Sequence, residues 1–101
     1  MRLTHEQIDT IKETASKYFG GQATVLLFGS RAEDHRRGGD IDLYIETDMK
    51  DAKTVVKAEI QFLAELKRRI GDRKIDVLVD YPARQQRPPI FTVARQTGIR
   101  L

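Results

Sequence analysis

The chain has 101 residues, 40% hydrophobic and 33% charged, with a formal net charge of +3 and no cysteine. That size suits a single domain over residues 1–101 and excludes a second core, and the lack of thiols excludes disulfides, cysteine nucleophiles and thiolate metal sites, in keeping with a cytoplasmic setting. No apolar run approaches the roughly 20 residues that cross a bilayer, and the opening MRLTHEQIDT carries acids where a signal peptide has its apolar core, so neither a membrane span nor a leader is expected.

In chain order, the first element is a helix. Thr4 is placed as its N-cap, Gln7 completes a capping box, and Leu3 with Ile8 form a hydrophobic staple. Ile8, Ile11, Ala15 and Tyr18 or Phe19 recur at helical spacing until Gly20-Gly21. ATVLLF (23–28) reads as a short buried strand, and RAEDHRRGG (31–39) as a helical turn running into a loop. DIDLYIE (40–46) alternates: Ile41, Leu43 and Ile45 face one way, Asp40, Asp42, Tyr44 and Glu46 the other.

A long helix capped by Asp48 or Asp51 follows, with Val55, Val56, Ile60, Leu63, Leu66 and Ile70 as its apolar stripe and Gly71 as its stop. KIDVLVD (74–80) is a third strand, with Lys74, Asp76, Leu78 and Asp80 opposite Ile75, Val77 and Val79. Beyond Pro82 the chain loosens, Pro89 suits a first helical turn, and IFTVARQTG makes a short helix closed by Gly98. The expected architecture is an α/β (α+β) domain with a small mixed sheet of about three strands and helices packed on one face. Residues 1–80 form the core and 81–101 a basic segment, in which Arg84, Arg87, Arg95 and Arg100 meet no acid. Such a segment suits a solvated tail, or contact with nucleic acid, a phosphorylated ligand or an acidic partner.

The opposite face of strands two and three cannot be buried without partners for its carboxylates. Asp40 and Asp42 lie on one face with Cα atoms roughly 6.6 Å apart. If strands two and three are neighbours, Asp76 completes a triad of oxygen ligands. All-oxygen sites of this kind suit Mg²⁺, or Mn²⁺, over zinc. Gly29 lets the backbone approach a phosphate, a helical turn from Ser30 would offer N–H groups and a hydroxyl to the anion, and Arg31 adds a bidentate cation. A phosphate cradle and a carboxylate triad together describe a site for a nucleoside triphosphate, attacked in line at its α-phosphorus with two metal ions. Other phosphate motifs, GxxxxGK[ST] and GxGxxG, are absent. His35, Arg36 and Arg37 read as solvated loop residues and His5 as surface. Tyr44 reads either as a base-stacking ring or as a partly buried structural one.

The stretch LFGSRAEDHRRGGDIDLYIE (27–46) resembles the signature of the DNA polymerase β-like nucleotidyltransferase superfamily: Gly-Ser, a spacer, then Asp-x-Asp. Its GSRA start and the short chain resemble the minimal nucleotidyltransferase branch, and the likeness spans roughly residues 23–80. The resemblance implies triphosphate binding at Gly29 and Ser30, two Mg²⁺ ions on Asp40 and Asp42, and a third carboxylate at Asp76. Asp80 shares that face about 13 Å further on, from a rise of roughly 3.3 Å per residue, and Asp76 is favoured. The spacer holds nine residues (31–39) where ten is commonest in the family, a difference the Gly38-Gly39 pair would absorb.

By the same resemblance the expected activity is transfer of a nucleoside monophosphate, AMP from ATP, to a hydroxyl on a helical HEPN-type partner protein, this chain acting as antitoxin to the partner's toxin. The alternatives are a partner-binding antitoxin module without catalysis, or transfer to RNA or a small molecule with the arginine-bearing segment on phosphates.

Overall fold

The computed structural model describes residues 3–29, 40–71 and 73–101. The first helix, α1 (His5–Phe19), begins as a reciprocal capping box: the Gln7 N–H donates to Thr4 Oγ1 and the Thr4 N–H to Gln7 Oε1, each at 3.0 Å. Ile11, Ala15 and Phe19 are buried along one side, and the helix stops at Gly20, whose φ of +103° suits glycine alone.

Strand β1 (Thr24–Phe28) is followed by β2 (Ile41–Glu46) and by helix α2 (Ala52–Ile70). Of the two aspartates placed to cap α2, Asp51 does so, accepting from the Thr54 N–H at 3.1 Å. Then come β3 (Ile75–Asp80), α3 (Pro89–Thr97) with proline in its first turn, and β4 (Ile99–Arg100). The sheet order is β3-β2-β1-β4; β2 and β3 are parallel, and β1 is antiparallel to both its neighbours. Parallel β2 and β3 need a crossover, which α2 provides.

The α/β class with a mixed sheet is as expected, with two differences. A fourth strand, two residues long, pairs Ile99 and Arg100 with Leu27 and Leu26 of β1. It is too short for alternation to show, and it depends on Gly98: a Cβ there would meet the Ala94 carbonyl oxygen and the Leu26 side chain. The helices also occupy both faces. α1 and α2 cover Val25, Leu27, Ile41, Leu43, Ile45, Ile75 and Val79, whereas Phe91 and Ala94 of α3 pack on Phe28 and Tyr44 from the other side. The sequence reading put Tyr44 and Leu78 on that second face with the carboxylates but set no helix over it. Leu26 and Phe28 of β1 point there as well, and the apolar half that the four residues make needs a cover. No described helix is long and apolar enough to cross a membrane.

Candidate active site

The half of the second face not covered by α3 holds the carboxylates. Asp42 and Asp76 are register partners on parallel strands, so their side chains leave the sheet side by side. Asp40 immediately precedes β2 and is exposed, and the Ile41 N–H donates to the Lys74 carbonyl at 3.0 Å, which sets Lys74 next to it. Lys74 is the residue the sequence reading missed as a member of this site. Its signal was the alternation that puts it on the face of Asp76.

Burial pushes the Asp42 carboxyl above its ordinary pKa, the negative charges of Asp76 and Asp40 push it further, and the Lys74 ammonium opposes them. A carboxylate held in that environment gains from a bound cation.

Gly29 ends β1 against this pair. Its neighbour Phe28 is the register partner of Asp42, its φ is +75°, and a Cβ at this position would overlap Asp42 Oδ2. The glycine expected to admit a phosphate thus also gives the Asp42 carboxylate room. Ser30 and Arg31, expected to bind the triphosphate, lie outside the described residues, as do His35, Arg36, Arg37, Gly38 and Gly39.

The donor set is all carboxylate oxygen and fits a hard divalent ion in kind. Two carboxylates beside substrate phosphates is a number Mg²⁺ commonly takes from a protein. Among the described residues no three acidic or histidine side chains gather at metal-binding distance, so Asp42 and Asp76 form the pair and Asp40 stands at its margin.

Asp80, the alternative third carboxylate, is committed elsewhere. Its Oδ2 accepts from the Tyr44 hydroxyl and its Oδ1 from Arg87 Nε, both at 2.8 Å. Arg87 also donates to the Arg84 and Tyr81 carbonyls at 3.0 Å each. Burial raises the Asp80 carboxyl, but the Tyr44 and Arg87 hydrogen bonds and the guanidinium charge outweigh it and hold it below the usual carboxylate range. Tyr44 is fully buried, stands edge-on to Phe91 with ring centroids 5.9 Å apart, and has its hydroxyl pKa driven up by burial and by Asp80. It is the structural tyrosine of the two readings and offers no face to a base.

The basic segment is likewise partly absorbed by the fold. Arg87 is tied as above, and the Arg84 guanidinium stacks 4.4 Å from the Phe91 ring centroid. Arg95 and Arg100 are exposed, and so is His5.

A family model described as polymerase beta, nucleotidyltransferase, matches residues 9–100. No curated protein matches the chain significantly.

Proposed function

The chain belongs to the polymerase beta nucleotidyltransferase family, and on that footing we propose that it transfers a nucleoside monophosphate, AMP from ATP, to a hydroxyl group on a HEPN-type partner protein, as the antitoxin of a toxin–antitoxin pair. The observation that supports transfer is the in-register Asp42–Asp76 pair beside a glycine with no room for a side chain. In this reading Asp42 and Asp76, with Asp40, would hold two Mg²⁺ ions, which would supply charge neutralisation for the triphosphate and for the attacking and leaving oxygens. Gly29, Ser30 and Arg31 would hold the β- and γ-phosphates while the hydroxyl oxygen bonds the α-phosphorus, the bond from that phosphorus to the bridging oxygen breaks, pyrophosphate leaves, and the hydroxyl proton passes to solvent water. Lys74, beside Asp40, offers a cation to phosphate oxygens at the rim of the same face.

The choice of acceptor rests on resemblance to minimal nucleotidyltransferases. Incubation of the protein with ATP labelled in its α-phosphate and Mg²⁺, in host lysate, tests it against Asp42→Asn. A labelled protein band that the variant lacks is the expected result. Label in RNA would replace the acceptor. Absence of label in both, with both forms still binding one partner, would replace catalysis with a binding-module role.

A further inference from the structure

Helix α3 follows β3 at one edge of the sheet and leads through Gly98 into β4 at the other. It therefore lies across the strands, and its two flanks look toward the strands' two ends. Phe91 and Ala94 face the sheet, against Phe28 and Tyr44. At 3.6 residues per turn, the order around the helix is Arg95, Phe91, Ala94, Ile90, Thr97, Val93. Arg95 lines one cleft with Glu46 and Asp80, the register partners that end β2 and β3. Ile90, Thr97 and Val93 thus turn to the opposite end, about 13 Å away at roughly 3.3 Å per residue, where Asp42 and Asp76 stand.

This flank is apolar and open. Ile90 is 43% and Val93 48% exposed, and Thr97 turns its hydroxyl back onto the Val93 carbonyl at 2.7 Å. The connection between Gly29 and Asp40, which bound this end of β1 and β2, has Ala32 as its one apolar side chain and so holds no large group to cover the flank.

Two chemistries therefore meet at one end of the second face. The carboxylate pair suits a divalent ion and phosphate oxygens, and beside it stands an aliphatic wall whose side chains offer no free donor or acceptor. A nucleoside triphosphate carries both counterparts in one molecule, a polyanionic end and a flat ring system. We propose that Ile90 and Val93 form the base-contacting wall of the candidate site, and that this wall favours purines over pyrimidines by ring area alone. The inference rests on the triphosphate site proposed above and adds the part of the substrate which that site leaves unread. Aliphatic side chains make no hydrogen bond to a base edge, so they do not tell adenine from guanine. Two fused rings cover more of the wall than one, and the gain follows the apolar area removed from water.

Calorimetric titration of the whole chain with Mg²⁺ and each of ATP, GTP, CTP, UTP and ribose 5′-triphosphate, which has no base, tests this. ATP and GTP are expected to bind alike and about tenfold more tightly than ribose 5′-triphosphate, with CTP and UTP between. In the double variant Ile90→Ala/Val93→Ala the purine advantage should fall to about twofold. Ribose 5′-triphosphate should bind that variant as it binds the wild type, which also reports an intact fold.

A base that adds nothing to the affinity, as when a second copy of the chain covers the flank, overturns the inference. So does a double variant that binds ATP like the wild type. A gap of about tenfold or more between ATP and GTP also overturns it, since polar groups must then read the base edge. Ribose 5′-triphosphate that fails to bind, or that binds Asp42→Asn as well as the wild type, removes the triphosphate site itself and this inference with it.

Discussion

Gly29→Ala is the most direct probe of how the candidate site is built. Two penalties meet at this position. At a φ of +75° any residue with a Cβ is strained, at roughly 1 kcal/mol or somewhat more. The new methyl also overlaps Asp42 Oδ2, with the Asp42 Cγ a further 3.3 Å contact. The obstacle is the end of a short side chain, so the carboxylate turns aside and does not force the strands apart. An off-rotamer turn of that kind costs about 1 kcal/mol. The expected destabilisation is therefore about 2 kcal/mol, in two parts of similar size. Urea unfolding followed by circular dichroism, on a double-mutant cycle with Asp42→Ala, separates them. The backbone part survives in the double variant and the overlap part vanishes, giving a coupling of about 1 kcal/mol. In the label-transfer assay Gly29→Ala should lose activity by about two orders of magnitude, because the displaced carboxylate no longer stands beside Asp76. Strict additivity of the two substitutions would refute the claim that Gly29 exists to accommodate Asp42. Full activity in Gly29→Ala would refute the claim that the position of Asp42 matters.

The second face gives the remaining predictions. Phe91→Ala removes the ring that covers Tyr44 and Phe28 and should cost about 3 kcal/mol in the same unfolding measurement. Tyr44→Phe leaves Asp80 one donor short in a buried setting, for a loss of about 1–2 kcal/mol, with the α1–α2 side undisturbed. Because the folded Asp80 pKa is depressed, its contribution is fully present above the unfolded carboxylate pKa of about 3.9 and is lost as pH falls through the lower folded value. Asp80→Asn should accordingly flatten the acid limb of stability against pH below about 4, and an unchanged limb would show that the ion pair with Arg87 is not formed in solution.

What could be read from the residues was what has a strict period or a local cap. Thr4, Gln7, Asp51 and Gly71 act within three or four residues of themselves, so the bounds of α1 and α2 follow from chemistry visible in a short window. The period of two in DIDLYIE and KIDVLVD fixed which side chains share a face, and parallel pairing then made Asp42 and Asp76 neighbours. In the last twenty residues the same local signals, Pro89 and Gly98, gave the helix α3, but not where it packs nor the strand after it. Phe91 has no local reason to seek Tyr44, and a two-residue strand has no period. The commitment of Asp80 to Arg87 is a contact between a strand and the segment after it, and the alternation that grouped Asp80 with Asp76 could not distinguish a free carboxylate from a paired one. Lys74 was visible in the pattern but was read as the start of a strand, since its place beside Asp40 comes only from the β2–β3 register.

The way Arg84 and Arg87 are used bears on how strongly this chain can hold a polyanion. Arg87 spends its Nε and both terminal nitrogens on Asp80, Arg84 and Tyr81, and Arg84 lies on an aromatic ring, so the segment after β3 presents Arg95 and Arg100 to solvent. Each phosphate neutralised on a nucleic acid releases condensed counterions, and the logarithm of affinity falls against the logarithm of salt by about 0.9 per contact on duplex and 0.7 on single strands. Two arginines therefore set a slope of about −1.8 or −1.4, a weak and shallow response to salt. A polyanion held by this segment would be gripped less by charge than by whatever shape it fits.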